Sequence, residues 1–173
     1  MKVFAGPLAI LAVVSTACGD YSRHLGQQPP ALTITDACGA PKNVQLADYR
    51  GKWVLLDFWT LGCGPCISHS LPKLAKFYEE HAADRDRFEI LAICVTDGEK
   101  ATTKEQYEAL VAPIVERVWK GKPLPFPVLI HGEGETLNAY GITAVPTALL
   151  IDPEGHLVKF GDEALLAEKL RAL

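Results

Sequence analysis

The chain has 173 residues, a hydrophobic share of 49% and a formal net charge of -4, enough for one full core plus a terminal appendage. With 17 basic residues against 21 acidic ones and no basic run, nothing points to nucleic acid as a partner. Five cysteines in a chain of this length do not make a disulfide framework; they read as one working pair and three singles.

The N-terminus reads as a targeting segment. Met1-Lys2 is a short positive region, Val3 to Val14 is apolar, and Ser15-Thr16-Ala17 places small residues directly before Cys18. The apolar stretch is short for a membrane span. Residues 1–18 are therefore taken as an export signal. Three fates are compatible with it: lipidation of Cys18, cleavage after Ala17, and retention as an uncleaved anchor. Residues 19–30 are polar and end in Pro29-Pro30, the composition of a flexible tether. Residues 31–173 form the domain.

Within the domain, Leu32-Thr33-Ile34-Thr35-Asp36 alternates as an edge strand does, and Gly39 to Asn43 is turn chemistry before a second short strand, Val44-Gln45-Leu46. Together they predict an N-terminal β-hairpin. Gly51-Lys52 precedes an apolar run over residues 53–58, which suits a central strand buried on both faces. Leu71, Leu74, Phe77 and Tyr78 recur at helical spacing to about Ala82. Phe88–Val95 is a second apolar strand. A helix over residues 103–119, kinked at Pro113, is expected to bury Tyr107, Leu110, Val111, Ile114 and Val118. A loop stiffened by Pro123, Pro125 and Pro127 leads to a strand over residues 128–130 and a short helix stopped by Gly141. Strands Thr147–Ile151 and Leu157–Phe160 are joined by the turn Asp152-Pro153-Glu154-Gly155, and a last helix starts after Asp162 as N-cap. This order gives an α/β domain, a mixed central sheet with helices on both faces.

The chemistry concentrates at Cys63-Gly64-Pro65-Cys66, which follows the buried strand and opens a helix. A Cys-x-x-Cys so placed is a redox dithiol. The helix N-terminus offers free N–H groups and partial positive charge, which favour a thiolate at Cys63. Cys66 lies one turn further in, within disulfide reach. Pro65 suits the first turn, where its missing N–H costs nothing. A metal site would need a second ligand pair, which Cys38, Cys94 and the scattered histidines do not supply, so neither metal nor cofactor is expected. Asp57 is the single charge in the apolar run. Burial would raise its pKa and fit it to exchange protons with Cys66, although a strand-end aspartate reaching solvent fits the pattern as well.

From about residue 31 to the C-terminus the chain resembles the thioredoxin-like thiol–disulfide oxidoreductases, and within them the exported TlpA/ResA group. The resemblance rests on Gly51-Lys52, Asp57-Phe58-Trp59, Cys63-Gly64-Pro65-Cys66, Val145-Pro146-Thr147 and Ile151-Asp152-Pro153-Glu154-Gly155. It implies a thioredoxin-like fold, with Cys63 as the attacking and Cys66 as the resolving cysteine. It also implies Asp57 as the proton acceptor and Pro146 as a cis-proline facing the dithiol. The Val145 backbone, Trp59, Gly64 and Pro65 would make up the substrate-binding surface. Trp59 is equally compatible with simple core packing. The Gly64-Pro65 dipeptide matches thioredoxin, a reductant at about -270 mV.

Two departures stand out. Gly62 occupies the place where relatives carry Trp before the first Cys, which should open one side of the dithiol. His69 stands where many relatives have an acidic residue, and Pro72 falls one residue late. Cys94 reads as an inert core residue and Cys38 as a turn residue, with a second disulfide between them left open. His24, His81, His131 and His156 are given no role.

The resemblance implies an exported, membrane-tethered, monomeric reductase of disulfide-bearing proteins in the periplasm or at the outer membrane face. A membrane electron donor would re-reduce it, and an apocytochrome c awaiting haem (cytochrome c maturation) is one candidate substrate. Two alternatives are a thiol peroxidase of the same fold and a copper carrier of the Sco kind. The residues before Cys63 lack the Pro-x-x-x-Thr-x-x-Cys setting of the first, and the pair is one residue too close for the second.

Overall fold

The computed structural model describes residues 20–96, 101–131 and 135–172. Strands β1 (Asp36–Cys38), β2 (Trp53–Thr60), β3 (Phe88–Val95), β4 (Val128–His131), β5 (Thr147–Ile151) and β6 (Leu157–Phe160) form one sheet in the order β1-β4-β3-β2-β5-β6. β2 pairs parallel with β3 and antiparallel with β5, and β3 pairs parallel with β4. The central strand is therefore β2, whose apolar run, interrupted only by Asp57, is buried on both faces. Helices α1 (Leu71–Glu80), α2 (Lys104–Arg117), α3 (Glu135–Tyr140) and α4 (Glu163–Arg171) complete the elements. The fold is thioredoxin-like.

Alternation along β2 divides the core. Leu55 and Trp59 pack with Leu71 and Leu74 of α1, Tyr107 and Val111 of α2, and Leu166 and Leu170 of α4. Val54, Leu56 and Phe58 pack on the other side with Tyr140 of α3 and with Leu32 and Val44. Asp162 caps α4, its Oδ1 accepting from Leu165 N–H at 2.8 Å.

The N-terminal hairpin does not form. β1 shrinks to Asp36–Cys38 and pairs with β4, not with residues 44–46. Residues Leu46–Tyr49 instead close a 3-10 turn, in which Asp48 Oδ2 accepts from Gln45 N–H at 2.8 Å. That local hydrogen bond competes with strand pairing. Helix α2 also buries less than its pattern predicts. Tyr107 and Val111 face the core, but Leu110 and Val118 are exposed.

The predicted tether differs most. In its described part, residues 20–30, it lies against the domain. Residues Asp20–His24 form a 3-10 turn, and the Tyr21 and Phe160 rings meet edge to face at 4.0 Å. Gly26 N–H donates to Leu157 O, and Leu157 N–H donates to Gln27 O. The edge of β6 supplies unpaired backbone groups, and this segment covers them. Tyr140 Oη adds a bond to Pro30 O at 2.6 Å. Composition alone saw the prolines and missed the Tyr21 ring, which docks on Phe160, and the backbone bridge between Leu25 and Leu157. Cys18 lies outside the described residues.

Candidate functional site

β2 ends at Thr60, and two turn residues carry the chain to Cys63 and into a helical run over residues 64–80. Cys63 and Cys66 are joined as a disulfide with Cα atoms 5.3 Å apart. The two sulfurs differ in access: Cys66 is fully buried, whereas Cys63 is partly exposed. Cys66 N–H donates to Cys63 Sγ at 3.2 Å. This is the helix-terminal N–H that favours negative charge on sulfur once the disulfide opens. Gly62 and Gly64 are exposed, and a side chain at either would project into open space. The missing Trp at position 62 thus leaves one flank of the pair uncovered.

Across from the pair, the Val145–Pro146 peptide is cis, and Val145 O lies 3.8 Å from Cys63 Sγ. A disulfide sulfur carries no hydrogen, so this is a contact; a thiol there would find an acceptor. Pro146 and Pro65 line a cleft of about 350 Å³ with Asp57, His69, Lys73 and Glu163. Lys73 and Glu163 form an ion pair at this cleft.

Asp57 is 2% exposed. Its lateral neighbours on β3 and β5 are Ala92 and Ala148, so nothing polar flanks it across the sheet. Oδ2 has no hydrogen-bond partner among the described residues. Burial alone pushes its pKa up to about 7. Its alternation with Leu55 and Trp59 puts it on the sheet face that carries α1.

Trp59 does not sit at the substrate surface. It is fully buried, with ring contacts to Tyr107 at 6.3 Å and Trp119 at 6.4 Å, and supports the site from beneath. His69 is exposed and lines the same cleft as Asp57, with Nδ1 2.7 Å from Ser68 Oγ. Cys38 and Cys94 cannot pair. Register places Cys38 beside Val128 and Val128 beside Ala92, with Cys94 two residues further along. Two strand spacings separate them laterally, about 10 Å, against the roughly 7 Å limit for a disulfide. Burial pushes the Cys38 thiol up to about 11, which disfavours its thiolate. Among the described residues no group of three or more His, Cys, Asp and Glu side chains is placed to hold a metal ion.

Sequence reasoning registered Pro72 as one residue late without seeing how the helix absorbs it. Residues Cys66–Ser70 form a π-turn, in which Leu71 N–H reaches back five residues to Cys66 O. Trp119, 52 positions away, donates its indole N–H to Ile67 O at 2.8 Å within that turn.

Comparison with known proteins agrees with this arrangement. Residues 25–160 match the AhpC/TSA family. Thiol-disulfide oxidoreductase ResA of Bacillus cereus is 30% identical over 160 residues, 87% of this chain and 82% of that one. ResA of Bacillus subtilis is 31% identical over 141 residues, 82% and 69% of the two chains. Among solved structures, an exposed lipoprotein thioredoxin from Streptococcus pneumoniae is similar with a TM-score of 0.59 and 26% identity, covering 83% of this chain and 98% of that one. A cysteine pair closed as a disulfide at a helix start, in a chain that aligns with these proteins over most of its length, makes this a member of the AhpC/TSA family and a thiol–disulfide oxidoreductase of the ResA type.

Proposed function

We propose that the protein is an exported, membrane-tethered reductase of disulfides in other extracytoplasmic proteins. One observation carries the direction of attack: Cys63 is accessible and faces a helix-terminal N–H, while Cys66 is buried behind it. Reduced Cys63, as thiolate, attacks one sulfur of a substrate disulfide. The bond to that sulfur forms as the substrate's S–S bond breaks, and the released substrate thiolate takes a proton. Asp57 accepts the proton of Cys66, whose thiolate then attacks Cys63 Sγ. This expels the second substrate thiol and leaves the Cys63–Cys66 disulfide. Two electrons and two protons have passed to the substrate, and an external dithiol donor at the membrane must return them.

In this reading Val145 presents its backbone to the substrate chain, and Pro146, Gly64 and Pro65 form the surface it lies on. The Gly64-Pro65 dipeptide supports reduction over oxidation. Export and tethering are supported by the signal-like residues 1–18 and by the lipoprotein named among the similar structures. Among the described residues no helix is long and apolar enough to cross a membrane. The anchor in this reading is acyl chains on Cys18.

Equilibration of the dithiol with glutathione or dithiothreitol, followed by insulin reduction, tests the reading. A potential near that of thioredoxin with active insulin reduction supports it; a strongly oxidising potential overturns the direction. The match to the AhpC/TSA family gives thiol peroxidase as a second reading, and hydrogen peroxide offered to the reduced protein in the same assay separates the two. Palmitate incorporation into the wild type but not into Cys18→Ala tests the anchor.

A further inference from the structure

The start of the active-site helix contains a carbonyl that its own helix cannot satisfy. In an α-helix the N–H of residue 71 would bond Ile67 O, but Leu71 N–H is spent on Cys66 O in the π-turn. In π register the next donor to Ile67 O would be residue 72, which is proline and has no N–H. The indole N–H of Trp119 takes that place at 2.8 Å. The other side of the same residue is also held, because Ile67 N–H donates to Cys63 O at 3.1 Å. Ile67 is thus pinned between the attacking cysteine and Trp119. Immediately before it, Cys66 directs its N–H onto Cys63 Sγ.

Trp119 touches the site from a second side. Its ring lies 6.4 Å from that of Trp59, near the end of the strand that leads into the dithiol. At 9% exposure it is held firmly. The Ile67 carbonyl is partly buried, and a carbonyl removed from solvent and left without a donor costs more than a hydrogen bond gains, so the turn would shift to find one. Any such shift carries the Cys66 N–H away from Cys63 Sγ.

We propose that Trp119 is a positioning residue for the dithiol: its indole N–H substitutes for the one Pro72 lacks, locks the π-turn, and thereby keeps Cys66 N–H aimed at the Cys63 sulfur. The idea rests on Cys63 being the attacking thiol.

A double-mutant cycle tests it. Trp119→Phe keeps an aromatic ring and removes the N–H, while Pro72→Ala restores a backbone N–H that can reach Ile67 O. The readout is the pH profile of Cys63 alkylation in the reduced full-length protein. Trp119→Phe is expected to slow alkylation at pH 7 by about threefold, the size of one modest hydrogen bond, and to move the profile to higher pH. In the Pro72→Ala background the same change should have an effect below about 1.5-fold. An equal loss in both backgrounds, or an unshifted profile with only a lower Tm, overturns the proposal. If Trp119→Phe folds only when combined with Pro72→Ala, the coupling is confirmed; if it folds in neither background, Trp119 is a packing residue and the proposal falls. Insulin reduction by the wild type is measured alongside: its failure removes the proposed function without touching the cycle, whereas an active wild type with no coupling removes only the role of Trp119.

Discussion

Cys66 turns its backbone N–H onto Cys63 Sγ across 3.2 Å, so the cysteine that is hidden from solvent supplies the donor that activates the one that is not. Reduced, Cys63 should titrate well below the ordinary thiol value of about 8.5, as thiols at helix N-termini do. Iodoacetamide at pH 7, followed by peptide mapping, should label Cys63 at least about tenfold faster than Cys66. Preferential labelling of Cys66 would reverse the roles.

The same asymmetry governs trapping. With Cys66→Ser, attack by Cys63 proceeds but the mixed disulfide has no internal thiol to resolve it. Non-reducing gels of cells expressing this variant should show adducts that collapse with dithiothreitol. Cys63→Ser should give few, because the remaining sulfur is fully buried.

How much of this was legible in the sequence depends on the range of each interaction. The strands Phe88–Val95, Thr147–Ile151 and Leu157–Phe160 and the Asp162 cap follow from local pattern and are found at those positions. The dithiol is equally local. Asp57 stands out as a lone charge in an apolar run, yet its isolation comes from Ala92 and Ala148, which only the strand order places beside it. The failed hairpin reflects a contest between weak local propensities, decided by pairing with β4 some 90 residues away. The lateness of Pro72 was visible, but its remedy, Trp119, lies in the turn just after α2, 47 positions further along the chain, and no spacing rule reaches it.

Asp57 gives a pH signature. In the unfolded chain its carboxyl ionises near 3.9, whereas in the fold it keeps its proton to about 7. Between those values the native state binds more protons than the unfolded one, so this group lowers stability as pH rises, with the full loss present above 7. Asp57→Asn removes a charge that the native site cannot solvate. It should stabilise the protein by about 2 kcal/mol above pH 8, an advantage that shrinks through neutral pH and is gone below about pH 4. Urea unfolding at pH 4, 6 and 8 reads this directly. The same variant should slow resolution of a mixed disulfide at pH 7 by about tenfold or more, since the acceptor for the Cys66 proton is gone. A variant that is no more stable at pH 8 than at pH 4 would show that the carboxylate is solvated through the cleft it lines.

The segment before Pro30 is fixed to the domain by few contacts, which makes it testable. Tyr21 stacks edge-on against Phe160 at 4.0 Å, and the backbone bonds around Leu157 follow directly behind. An aromatic pair of this kind contributes about 0.5–1.5 kcal/mol beyond its buried area. Phe160 is 39% exposed, so truncating it should loosen the segment without opening the core. Phe160→Ala should therefore raise the rate of trypsin cleavage after Arg23 by about fivefold, because cleavage requires the local segment to open first. The cleavage rates elsewhere and the Tm should change little. If the wild type is cut after Arg23 as fast as the variant, the segment is not held in solution and the original reading of residues 19–30 as a leash stands. A slow wild type and a fast variant would show that the segment docks in solution; with the proposed acyl anchor on Cys18, the β6 edge would then lie close to the membrane, since at most about 3.6 Å of reach is added by each residue between the anchor and the docked turn.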